Sequence, residues 1–215
     1  MALVWFWLTI SAMLFLSFLI EKRLAQHFPY KIFRLLLFPG LFFHELSHAI
    51  VAVWFGAKIT KINLFTQNGG SVHFKMKQKS EIANFLIAFA PFLFGIGIFW
   101  LLGKAFQIEF TNSPFNLTQI LLSINWLSGW NWLLLWILIS ISATLSPSKQ
   151  DFTHGKTGLL AIFLATIILF LVWPESELFF VPVVKVLIFA ITINLFFLVL
   201  LEILIFLKKA LQFKK

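Results

Sequence analysis

The chain of 215 residues contains no cysteine. This excludes disulfides and thiolate ligands, so any metal site must be built from imidazole and carboxylate. Acidic residues are scarce, 8 against 17 Lys and Arg, and Asp151 is the sole aspartate. Charged residues reach only 12 %, while hydrophobic residues make up 60 %. No soluble domain of this length needs so much apolar surface, so the chain reads as an integral membrane protein. The net charge of +9 then points to cationic loops beside anionic lipid. Nucleic acid is not an expected partner, because no basic patch lies on a soluble face. There is no internal repeat, no low-complexity tract and no separate soluble domain, so residues 1–215 read as one membrane domain. Met1–Ile20 carries no charge, and no small-x-small site precedes Glu21. A retained span is expected there, not a cleaved signal.

Spans need about 20 apolar residues. The expected ones are Ala2–Ile20, Leu35–Phe55, Ile82–Gly103, about Leu117–Ala143, about Thr157–Trp173 and about Val181–Phe206. Glu21–Arg34, broken by Pro29, reads as an interfacial segment. Pro39-Gly40 is expected to kink or start the second helix, and Gly56 to cap its end. Asn112 and Pro114 are turn residues before the fourth span. Between the second and third spans the period changes. Val72, Phe74 and Met76 alternate with polar residues, and Ile59, Ile62 and Leu64 suggest a preceding strand. Asn68-Gly69 is a hairpin turn signal. The expected fold is therefore an all-α polytopic membrane protein of about six transmembrane helices. A small β-hairpin, about 58–79, follows the second of them.

That second span carries His44-Glu45-Leu46-Ser47-His48. Residues four apart share a helix face, so His44 and His48 can aim their imidazoles at one ion. Glu45 lies one residue round, placed to hold a water and not to ligate. Ionisable groups in a membrane span are costly and by default functional. A catalytic zinc wants a third protein ligand, at about 2.0–2.2 Å. Asp151 is the first candidate; it also suits a helix N-terminus as a cap or first-turn acid. His154 is the alternative ligand or a supporting partner. His73 falls on the polar face of its strand and is expected to be solvated. His27 has no special claim. Glu81 reads as a first-turn acid, and Glu202 as a partner for Lys208 or Lys209. Asn125, Ser128 and Asn131 give the fourth span a polar face, suited to interhelical hydrogen bonds or a water path.

Phe42-Phe43-His44-Glu45-Leu46-Ser47-His48-Ala49, followed by Gly56-Ala57 and a hairpin, resembles the site-2 protease family of intramembrane zinc metalloproteases. The resemblance covers about Leu35–Gly103 and Ser142–Gly158. It implies that a later span brings an aspartate, here Asp151, as third zinc ligand. The family's later signature joins an asparagine and prolines to Asp-Gly. Here Pro147 and Asp151 are present, while the asparagine and the glycine after the aspartate are not. Ala90-Pro91 stands where the family often has Gly-Pro. No segment is long enough for a PDZ domain.

The implied function is zinc-assisted hydrolysis of peptide bonds in or near the membrane, with Glu45 as general base and Zn2+ on His44, His48 and Asp151. The implied partners are a membrane protein or peptide substrate and the lipid bilayer. The alternative is a non-catalytic membrane metal-binding or protease-like partner protein. The expected location is multi-pass in the cytoplasmic membrane of a bacterium. Six spans would put both termini on one side, with Lys58, Lys61, Lys75, Lys77, Lys79, Lys149, Lys156 and the tail lysines. Lys22, Arg23, Lys31, Arg34, Lys104 and Lys185 would lie opposite, which favours termini in the cytoplasm.

Overall fold

Apolar runs dominate the chain, and among the described residues they form six long helices. These are α1 (Ala2–His27), α2 (Tyr30–Trp54), α3 (Glu81–Ala105), α4 (Gly129–Ala143), α5 (Lys149–Val172) and α6 (Glu177–Gln212). The computed structural model describes residues 2–66, 69–76, 80–106, 108, 110 and 125–212. Asn68, Lys77 and Lys79, the Asn112 and Pro114 loop, the upstream part of the fourth span, and Lys214 and Lys215 of the tail lie outside these residues. Among the described residues, five helices are long and apolar enough to cross a membrane, and α4 is a shorter apolar one. Large apolar side chains such as Leu164, Ile168 and Leu171 are exposed on α5, as lipid-facing positions would be.

Several boundaries differ from the expected ones. α1 runs on through Glu21 to His27, and α2 restarts at Tyr30 directly after Pro29. No separate interfacial segment forms, because Pro29 ends one helix and caps the next. Pro39 sits inside α2. α4 supplies hydrogen-bond partners around it. The Trp136 indole donates to Leu36 O at 2.8 Å, and Gly40 N–H donates to Ser140 Oγ at 2.6 Å. A Cβ on Gly40 would overlap the Ser140 carbonyl, so the close approach of α4 requires glycine there. α2 ends as foreseen at Gly56, whose φ is +73°. Its N–H donates to Val53 O, and Ala57 N–H donates to Ala52 O, closing the last turn.

The hairpin pairs β1 (Lys58–Thr66) with β2 (Gly69–Lys75), antiparallel, with Lys58 opposite Lys75 and Ile62 opposite Val72. Ile59, Phe74 and Met76 pack on Val51, Ala52, Ile87 and Ala90. This apolar seam holds the hairpin against α2 and α3. A larger core joins Met13, Phe99, Leu138, Leu187 and Phe189, drawn from α1, α3, α4 and α6.

Helix directions follow from the contacts. α2 and α4 are parallel, since Leu36, Gly40 and His44 meet Trp136, Ser140 and Thr144 in turn. α3 is antiparallel to α2: His48 meets Ile87, while Gly40 and Phe43 meet Phe94 and Ile98. α5 is antiparallel to α3, with Gly155 against Ala88 and Phe89 and Gly158 against Phe85. So α4 and α5 both follow α2, and Thr144–Ser148 interrupts what is otherwise one passage. α1 and α6 are parallel: Phe6 meets Phe180, Met13 meets Asn194, Arg23 meets Glu202 and His27 meets Lys208. The two chain ends therefore lie at opposite ends of the α1–α6 pair, not on one side as six alternating spans would give. The reason is local. The Ser148 hydroxyl accepts from Asp151 N–H at 3.1 Å and starts α5 several residues before Thr157. The fifth run thus continues the fourth instead of reversing it.

Two side-chain expectations are corrected as well. Glu202 pairs with Arg23 at 3.0 Å, because α6 lies along α1; Lys208 donates to His27 O. Asn125 and Asn131 bond locally, with Asn125 Oδ1 accepting from Leu127 N and Asn131 Nδ2 donating to Asn125 O. These bonds tie the turn before α4 to its first turn, and among the described residues neither side chain bridges helices.

Candidate metal centre

The two motif histidines lie on one face of α2, their rings edge to face with centroids 5.0 Å apart. Each ring is fixed by a backbone carbonyl of a neighbouring helix. His44 Nδ1 lies 2.7 Å from Thr144 O, at the close of α4. His48 Nδ1 lies 2.6 Å from Ile87 O on α3. A carbonyl can only accept, so each Nδ1 carries the proton and donates. In the neutral ring this leaves Nε2 as the lone-pair nitrogen, the form in which histidine ligates a metal.

Asp151 faces both Nε2 atoms. Its Oδ1 is 3.6 Å from His48 Nε2, and its Oδ2 is 3.9 Å from His44 Nε2. The ligand atoms of His44, His48 and Asp151 all lie within 4.8 Å of one another. Two ligands at about 2.1 Å from a tetrahedral ion stand roughly 3.4 Å apart, so the spacing accommodates one ion. The donor set fits zinc: two neutral imidazoles, one carboxylate and no sulfur.

Asp151 does two jobs at once. Ser148 donates to Oδ2 from its hydroxyl at 2.6 Å and from its N–H at 2.9 Å. That reciprocal pair begins α5 and restrains the carboxylate. The cap reading and the ligand reading are thus compatible. The face of α5 one and two turns on carries Gly155 and Gly158, against Ala88, Phe89 and Phe85 of α3. Since α3 also orients His48 through Ile87, one helix sets both sides of the site.

Glu45 is buried, at 5 % exposure, between the ligands and β2. A Cβ on Gly70 would overlap its Cγ and Oε1. The hairpin therefore closes directly over this carboxylate. A cleft of about 280 Å³ remains, with His44, Glu45, His48 and Asp151 on one wall and Gly70–Phe74 of β2 on another. Asn84, Ile87, Ala88 and Ser148 complete it. His73, expected to be solvated, is exposed and also faces this cleft. The side chain of His154, the alternative ligand, lies outside the described residues.

The residues picked from the sequence, His44, Glu45, His48 and Asp151, thus come together. What sequence reasoning missed is Gly70, together with the carbonyls of Ile87 and Thr144. A glycine beside a turn signal is absorbed by the turn. Backbone acceptors have no signature at all. A family model described as Peptidase M50B-like matches residues 9–186. No curated protein and no solved structure matches the chain.

Proposed function

The chain belongs to the M50B-like peptidase family, and from that we propose that it is an intramembrane zinc metalloendopeptidase. Its substrate is a peptide segment within or dipping into the bilayer. We place it, as a multi-pass protein, in the cytoplasmic membrane of a bacterium, where its basic loops suit anionic lipid. One observation carries the reading. Both imidazoles commit Nδ1–H to carbonyls and turn Nε2 toward Asp151, with a buried Glu45 alongside.

His44, His48 and Asp151 would hold the zinc. When bound, zinc supplies Lewis acidity, polarising a carbonyl and lowering the pKa of water to near 7. The chain's own residues do the rest. Glu45 takes a proton from the attacking water and returns it to the leaving amine. Thr144 O and Ile87 O keep both imidazoles in the ligating tautomer. β2 flanks the cleft with a strand, suited to hold a peptide extended by main-chain pairing. An extended segment exposes its peptide bond, whereas a helix hides it.

The test is turnover of a transmembrane reporter by purified protein, with zinc measured on the same samples. Glu45→Gln should lose ~10²–10⁴-fold in rate and keep its zinc. His44→Ala should lose both. Parent-like cleavage by Glu45→Gln protein rejects hydrolysis by this route and favours the non-catalytic metal-binding partner.

A further inference from the structure

Ser17 of α1 is fully buried, at 0 % exposure. Its hydroxyl donates to Ala143 O at 2.8 Å and accepts from Ser146 N–H at 3.0 Å. A hydroxyl in a membrane helix ordinarily bonds its own backbone. Thr9, Thr166 and Thr192 do so, donating to carbonyls three or four residues back. Ser17 instead crosses to the break between α4 and α5 and bonds the chain on both sides of Thr144. The backbone around that break shows what this achieves. Pro147 has no N–H, so the Ala143 carbonyl has no helical partner four residues on. Ser148 N–H is taken by Asp151 Oδ2, so the Thr144 carbonyl has lost its partner too. Unsatisfied carbonyls are costly in an apolar span. Ser17 satisfies the first of these, and the His44 imidazole satisfies the second.

We propose that Ser17 is a positioning residue for the metal centre: by clamping Ala143 and Ser146 it holds Thr144 O on His44 Nδ1 and keeps Nε2 free to ligate. The proposal rests on the zinc reading of the site and adds a residue of α1 to it. Without the hydroxyl, Ala143 O and Ser146 N–H both lose a buried partner, and the break must shift to find others. The Thr144 carbonyl lies between them and moves with the break. A histidine tautomer is set by the hydrogen bond its other nitrogen makes, so His44 is then released to carry its proton on either nitrogen. His48 is held by Ile87 O on α3 and does not depend on the break. It serves as an internal reference.

The test uses full-length protein labelled with 15N-histidine, zinc-free and at a pH where the rings are neutral. The 15N shifts separate Nδ1–H from Nε2–H rings. In the parent, His44 and His48 should both be Nδ1–H. In Ser17→Ala, His44 should populate both tautomers while His48 stays as it was, and zinc affinity should fall by about tenfold or more. Ser17→Thr keeps the hydroxyl and should stay near the parent. Ser17→Val matches threonine in size without the hydroxyl and should behave like Ser17→Ala. A merely structural role would lower stability without moving one histidine and sparing the other. Parent protein that takes up no zinc, yet shows the His44 change in Ser17→Ala, counts against the zinc reading and leaves the role of Ser17 standing. A His44 ring that stays wholly Nδ1–H in both Ser17→Ala and Ser17→Val overturns that role.

Discussion

If the proposed hydrolase reading holds, replacing Gly70 by alanine should abolish activity without touching a proposed zinc ligand. The added Cβ would sit 2.5 Å from Glu45 Cδ, and nearer still to its Cγ and Oε1. Carbon atoms in contact prefer about 3.5–4.0 Å, so one side must move by about 1 Å. Glu45 has little room, being 5 % exposed and wedged beside His44 and His48. β2 is in turn pinned by Phe74 and Met76 on α2 and α3. Whichever yields, Glu45, the proposed general base, or the strand β2 is misplaced by about 1 Å. A shift of that size costs on the order of 10²-fold, or ~2.7 kcal/mol of barrier. The assay is kcat/KM on a transmembrane reporter, with zinc content alongside. Zinc should stay at the parent level, because the atoms nearest the added Cβ all belong to Glu45. Full activity in Gly70→Ala, with zinc unchanged, would refute the claim that the hairpin closes directly on Glu45.

Two further outcomes follow from the packing. Gly158→Leu should push α5 off Phe85 and draw Asp151 away from the imidazoles, so zinc affinity should fall at least tenfold; equilibrium dialysis of the variant checks it, and unchanged affinity would break the link between the α3–α5 contact and the site. Because α1 and α6 are parallel, reporter fusions at the two chain ends should read opposite sides of the membrane; two fusions reading the same side would reject the interrupted α4–α5 passage.

The helices and the three motif side chains were legible because their signals are local. A run of twenty apolar residues needs no tertiary context, and neither does a four-residue histidine spacing on a helix. Alternation from Val72 to Met76 was enough for a strand. Direction was another matter. Whether the run after Ser148 reverses or continues depends on a capping pair and on Gly155 and Gly158 meeting α3, which no hydropathy window registers. The same holds for Glu202, whose partner Arg23 is distant in sequence and adjacent only because α6 lies along α1. Asp151 could be named but not given a single role, since cap and ligand ask for the same residue at the same place.

The central claim is that His44, His48 and Asp151 together hold one zinc. X-ray absorption at the zinc edge of the reconstituted protein tests it most directly. The account predicts four light ligands at about 2.0–2.1 Å, two of them with the outer-shell pattern of imidazole, and a changed first shell with weaker binding in Asp151→Ala. A spectrum with fewer than two imidazoles, or one that Asp151→Ala leaves unaltered at full occupancy, would contradict it.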